Sequence, residues 1–426
     1  MRKSTTFLLA TAALAGCYDA AEGPPFRAQI LDMVALDPAT REPEYALVTR
    51  EFRFLDDLDA LSSPELRLVR GGTLLAQEVS GSVVIGRFEG AKEPRPRYIV
   101  QDGVAVARDY PTLAMLSAYY QFERVLADLE RMTGFDIAEV ASLIGQLEVY
   151  FEPRLRFETD EVSGEEISRF NAFYLPGRKQ FGLAQRSRYE TLPLAVNRQV
   201  VVHEFGHALF ELTFFEDDVQ DCEPDRIAED PMSLDRFHVE YALSGFNEGF
   251  ADFLSFAYTG STNPLVALGF ESLAERDFAE PDFRFEELSD SPFDEGEPGC
   301  AGVFYCIGTL FAHGLFRSMI ELGYDPLDAD DRGAYNRQVV GALSTTYAAM
   351  RELPDELIPS PRTRVSECGH RRTISLEYDG ALSGAFLAAF VSQMPSETRA
   401  PLCDAFIASF GTDGFPEPTR EVCDES

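Results

Sequence analysis

The stretch VVVHEFGHALFEL, residues 200–212, restricts the local fold more than any other part of the chain. Two histidines four residues apart stand one turn apart on the same face of a helix, with Cβ atoms about 6 Å apart. A strand would hold the same pair about 13 Å apart. The chain has only five histidines in 426 residues, so this pairing carries weight. On a helix, the imidazoles of His203 and His207 can ligate one metal ion. Glu204 then projects beside them, within reach of a water on that metal.

A catalytic zinc takes three protein ligands and keeps a fourth position open. The extended form of the motif, with a third histidine, is closed here because its glycine and histidine positions hold Phe210 and Thr213. The alternative is an acid on a later helix, and SGFNEGFADFLSF (244–256) offers one. Glu248 and Asp252 share a helical face. Glu248 is the expected third ligand, and Asp252 the acceptor for the outer N–H of a ligating histidine. Without the histidine pair, the segment would read as an ordinary helix start with Asn247 near the cap.

Arg2 and Lys3 precede a short apolar run that ends in LAGC, Leu14 to Cys17. This resembles a bacterial lipobox, which implies cleavage before Cys17, lipidation of its thiol and anchorage in the cell envelope; an ordinary secretory signal is the alternative. Either way the chain is exported, and the six remaining cysteines meet a compartment where disulfides persist, in pairings the sequence leaves open. The net charge of −35 repels phosphate backbones and argues against a nucleic acid partner. Aromatic residues, 34 Phe among them, supply ample material for a core.

The chain divides into a signal peptide (1–16), a tether (17–25), a β-rich segment (26–100) and a catalytic domain (101–426). That domain has an upper lobe to residue 212 and a helical lower lobe from 213 to 426. Helical spacing runs through 110–134, 301–324, 333–352 and 379–410. The stretch LEVYFEPRLRF (147–157) reads as a strand whose proline suggests a sheet edge.

HEFGH followed by NEGFAD resembles the thermolysin-like zinc metalloproteases, including the fungalysins. Upstream, NAFY (171–174) is similar to that family's N-A-F-W edge strand, followed here by Phe181-Gly182. The resemblance covers roughly residues 105–320 and implies an α+β, two-lobed endopeptidase with one catalytic zinc and a peptide or protein substrate. It implies that Asn171 and Ala172 hold the substrate backbone, and that Glu204 acts as general base. YCIGTLFAHGLF (305–316) resembles the fungalysin segment that supplies a histidine to the transition state, and here a tyrosine departs from that pattern. Tyr305 falls at that position, with His313 the competitor. Gln199 and Thr259 stand where acids of a double calcium site would be, so calcium is not expected. A zinc aminopeptidase and a catalytically silent lipoprotein module on the same fold remain alternatives; the aminopeptidase signature G-x-M-E-N is absent.

Overall fold

The computed structural model describes residues 26–37, 43–79, 82–158, 166–168, 171–175, 179–184, 193–214, 234–263, 276–281, 283–285, 303–350, 362–365, 372–375, 381–414 and 423. The signal peptide, Cys17, the tether and the acidic insert with Cys222 lie outside them. The chain is mixed α+β. Among the described residues, no helix is long and apolar enough to cross a membrane.

Among the described residues, seven strands come before the first helix: β1 (Arg27–Leu36), β2 (Pro43–Glu51), β3 (Leu66–Arg70), β4 (Thr73–Val79), β5 (Ser82–Glu89), β6 (Tyr98–Gln101) and β7 (Val104–Ala107). Helix α1 (Tyr110–Ala127) starts where Asp109 accepts a hydrogen bond from the Thr112 N–H at 3.0 Å. The short α2 (Leu129–Thr133) ends at the left-handed Gly134, and α3 (Ile137–Ile144) follows. Strands β8 (Leu147–Phe151), β9 (Arg154–Glu158), β10 (Glu166–Ser168), β11 (Asn171–Leu175) and β12 (Gln180–Ala184) lead to α4 (Arg198–Phe214), which carries the histidine pair. The remaining helices are α5 (Leu234–Thr259), α6 (Val303–Glu321), α7 (Ala329–Met350), α8 (Ala381–Gln393) and α9 (Ser396–Gly414). A hairpin of β13 (Arg362–Val365) and β14 (Arg372–Ser375), which the helical reading of this region did not anticipate, lies between α7 and α8.

The strands form sheets of order β2-β1-β7-β6, β10-β9-β4-β5 and β11-β12-β8-β3, so each of the three combines strands from both sides of residue 100. Two of these sheets are one ladder with a bend. β3 pairs with β8 in parallel and β4 with β9 in parallel, and Leu66↔Leu147, Arg70↔Phe151 and Thr73↔Arg154 keep a single offset. Across the bend, the Gly71 N–H reaches the Phe151 carbonyl at 2.8 Å and the Arg154 N–H reaches Gly72 at 2.9 Å. Pro153 therefore marks a corner and not the sheet edge its sequence suggested: β8 lies between β12 and β3, and Pro153 falls between β8 and β9, outside the paired strands.

The true edge is β11. Among the described residues it pairs only with β12, Phe173 opposite Gly182. Any side chain at Gly182 would collide with the Phe173 ring, which fills that space. One hydrophobic core runs from β1, β3 and α1 through α4 and α5 to α9. Its helical half is built largely from phenylalanine, with Phe246 and Phe386 stacked at 4.2 Å and Phe311 and Phe406 at 5.5 Å. Leu74 of β4, Leu155 of β9 and Leu175 of β11 form a small second core. A disulfide joins Cys403 to Cys423, and Cys306 is also disulfide-bonded.

Candidate metal centre

Helices α4, α5 and α6 approach one another closely because glycines face each contact. A Cβ at Gly206 would lie 2.6 Å from the Ala251 Cα, and one at Gly249 would lie 2.3 Å from the Gly308 carbonyl oxygen. Those contacts bring Glu248 of α5 against the histidine face of α4. His203 Nε2 lies 3.1 Å from His207 Nε2 and 3.3 Å from Glu248 Oε2, and His207 Nε2 is 3.7 Å from Glu248 Oε1. Ligand atoms of all three residues fall within 4.8 Å of one another. Among the described residues this is the one such convergence of His, Cys, Asp and Glu, and it is compatible with a metal site.

The outer face of each ring also has a partner. His203 Nδ1 lies 2.8 Å from Asp252 Oδ1, and His207 Nδ1 is 3.0 Å from Asn247 Oδ1. These two contacts occupy the Nδ1 side of each ring, and both Nε2 atoms face Glu248. Asn247 is thus not a helix cap, as the isolated segment suggested. It lies inside α5, whose start is thirteen residues earlier at Leu234.

Arg276 is a member of the cluster that the sequence did not announce. Its guanidinium reaches Asp252 Oδ2 at 2.7 Å and Glu248 Oε2 at 3.3 Å, and lies 4.4 Å from the centre of the Tyr305 ring. It is 3% exposed and Asp252 is fully buried, so the two charges meet with little water to screen them. No motif surrounds Arg276; it stands in the acidic run AERDFAE, and only the packing shows its role.

The electrostatics follow from burial and proximity. Burial opposes the charged form of His203, but Asp252 and Glu248 outweigh it and drive its pKa upward. Burial also opposes the ionised form of Glu248, and there His207, His203 and Arg276 prevail and hold the carboxyl well below its ordinary range. Glu204 is the exception: burial prevails over the nearby histidines and raises its pKa. Glu248 is therefore held as a carboxylate against the two rings. Two nitrogen donors and one carboxylate form a donor set compatible with a metal ion.

The other expected residues are placed as follows. Tyr305, at the start of α6, is half-buried, and its hydroxyl pKa is raised by burial first and by Glu248 next. His313 is two turns further along α6, with Nδ1 2.7 Å from the Phe278 carbonyl oxygen. Asn171 and Ala172 open the edge strand β11, which packs against α4. Gln199 donates to the Asn263 carbonyl at 3.0 Å, and the Thr259 hydroxyl to that of Ser255 at 2.7 Å, so both serve helix packing.

No family model matches the chain, and no curated protein does. Among solved structures, the chain is similar to the precursor of protealysin, a metalloproteinase from Serratia proteamaculans. The identity is 12% and the TM-score 0.27, over 82% of this chain and 88% of that one.

Proposed function

We propose that this protein is a zinc-dependent endopeptidase of two-lobed, thermolysin-like design, exported and anchored by a lipid on Cys17. The observation that carries the reading is the convergence of His203, His207 and Glu248, with Glu204 the neighbour of the first ligand on the same buried helix. His203 and His207 would hold zinc through Nε2, and Glu248 through its carboxylate. The bound ion would supply a Lewis acid that acidifies water and polarises the scissile carbonyl.

The chain's own groups do the rest. Glu204, with its raised pKa, accepts a proton from the attacking water and returns it to the leaving amine. The Tyr305 hydroxyl, kept protonated, donates a hydrogen bond to the tetrahedral oxyanion. Tyr305 is the better candidate because it lies in the electrostatic field of Glu204 and Glu248, whereas His313 is occupied by a backbone carbonyl. The substrate would add to β11 as an extra strand, with Asn171 and Ala172 holding its backbone. Asp252, Asn247 and Arg276 fix the ligand geometry without touching the substrate's reacting bond.

The test is cleavage of a mixed peptide library by the wild type beside Glu204→Gln. Internal cuts that vanish in the variant and on chelation support the endopeptidase reading. Cuts confined to free amino termini point to an aminopeptidase, and no cleavage by folded, zinc-loaded protein points to a silent binding module.

A further inference from the structure

The helix that carries the histidine pair begins in an unusual way. Asn197 precedes α4 with extended backbone, and its Oδ1 accepts the Gln199 N–H at 3.0 Å. The N–H of Arg198 is capped from far away in sequence, by the Tyr45 hydroxyl of β2 at 3.0 Å, across 153 residues. The same hydroxyl donates to Asn197 Oδ1 at 3.1 Å. One phenol thus serves two groups at the α4 terminus, and burial keeps it protonated for that task.

A buried ion cluster lies beside it. Asp32 of β1 is 1% exposed and is paired with Arg198 of α4 and with Arg50 of β2, the latter at 2.6 Å. Gln121 of α1 closes the ring, donating to Asp32 Oδ1 at 3.2 Å and accepting from Arg198 Nε at 2.9 Å. The Leu31 N–H reaches Ser117 of α1 at 2.9 Å. In its sheet, β1 is an inner strand between β2 and β7, with Ala28 and Ile30 fully buried. Removing β1 and β2 would expose that core, leave Arg198 without its carboxylate and leave its N–H in the first turn of α4 without its acceptor, five residues before His203.

We infer that the β1–β2 hairpin is a permanent part of the metal-binding unit and not a releasable leader, and that Tyr45 is a positioning residue for the histidine helix. This rests on the metal reading of His203, His207 and Glu248. A hairpin serving only as general scaffold would affect global stability alone. A positioning hairpin governs the order of α4 and the affinity of the metal as well.

The experiment uses the full chain and compares wild type, Tyr45→Phe and Asp109→Ala. The last variant removes a cap from α1, on a different helix. Amide hydrogen exchange across α4 is measured without metal, and zinc affinity by competition with a chromophoric chelator. The expected result is that Tyr45→Phe speeds exchange over Arg198–His203 and weakens zinc binding roughly fivefold, in line with the loss of one helix cap. Asp109→Ala should lower the melting temperature with α4 exchange and zinc affinity unchanged. Equal behaviour of the two variants would overturn the inference. So would intact-mass analysis of zinc-loaded protein showing residues 26–51 absent. If the wild type itself binds no zinc, the metal reading has failed, and the proposal falls with it before any variant is compared; the exchange data then report separately on whether Tyr45 orders α4.

Discussion

Replacing Gly249 by alanine tests how the helices deliver Glu248. The new Cβ would lie 2.3 Å from the Gly308 carbonyl oxygen and 2.9 Å from the Gly308 Cα and carbonyl carbon, all backbone atoms. A carbon and an oxygen in favourable contact stand about 3.3–3.6 Å apart, so α5 and α6 must separate by about 1 Å. Overpacking of this kind typically costs about 1–3 kcal/mol, and rigid backbone on both sides puts this case toward the top. Alanine returns up to about 1 kcal/mol in helix propensity, leaving a net loss of about 2 kcal/mol. Glu248 is the preceding residue. A shift of about 1 Å exceeds the roughly 0.2 Å tolerance of a metal–ligand distance several times over, so zinc affinity should fall at least about tenfold. Gly341, on α7, is the control: it has nothing within 4 Å of its would-be Cβ, so Gly341→Ala should stabilise by up to about 1 kcal/mol. Urea unfolding of metal-free protein and zinc titration read both effects. A Gly249→Ala protein as stable as the wild type, with unchanged zinc affinity, would refute the close-packing argument.

Three further outcomes follow from the same geometry. Glu204→Gln should bind zinc as the wild type does while the hydrolysis rate on a peptide falls about 10²–10⁴-fold; a fall in zinc content instead would remove Glu204 from the general-base role. Asp252→Ala, which strips the partner from His203 Nδ1 and leaves Arg276 buried without its closest carboxylate, should weaken zinc binding about 10–100-fold by chelator competition. Glu123, 2% exposed and accepting the Arg53 and Phe54 N–H groups at 2.5 and 3.1 Å, has its pKa pushed up to about 7, chiefly by burial. A raised folded-state value means that the native protein holds the proton more tightly. Its stabilising contribution is therefore complete below about pH 4.5 and lost as pH rises to about 7, a change of at most about 3 kcal/mol. Unfolding free energies measured across that window should show the fall, and Glu123→Gln should flatten it.

The site was legible where it obeys helical spacing. His203 and His207, and likewise Glu248 and Asp252, are each separated by one turn, so their shared faces can be read from the sequence. Arg276 was not legible, because its role arises from tertiary packing and nothing local distinguishes it. Asn247 beside His207 was missed for a related reason: a short polar residue before acids suits a helix start, and only the length of α5 shows it to be internal. Tyr45 caps a helix 153 residues away, a relation with no local trace. Among the strands, 26–100 read as β-rich and 147–157 as a strand, but the parallel ladders β3·β8 and β4·β9 join distant segments whose pairing no turn announces. Pro153 shows the limit of a sound rule: proline does avoid ladder positions, and a corner satisfies that as well as an edge does.

X-ray absorption at the zinc edge on the stoichiometrically loaded protein tests the central claim most directly. The account predicts one zinc per chain, with two imidazole nitrogens and carboxylate or water oxygen at about 2.0–2.2 Å, and loss of one imidazole shell in His207→Ala. A sulfur shell at about 2.3 Å, or a spectrum unchanged by removing His207, would contradict it.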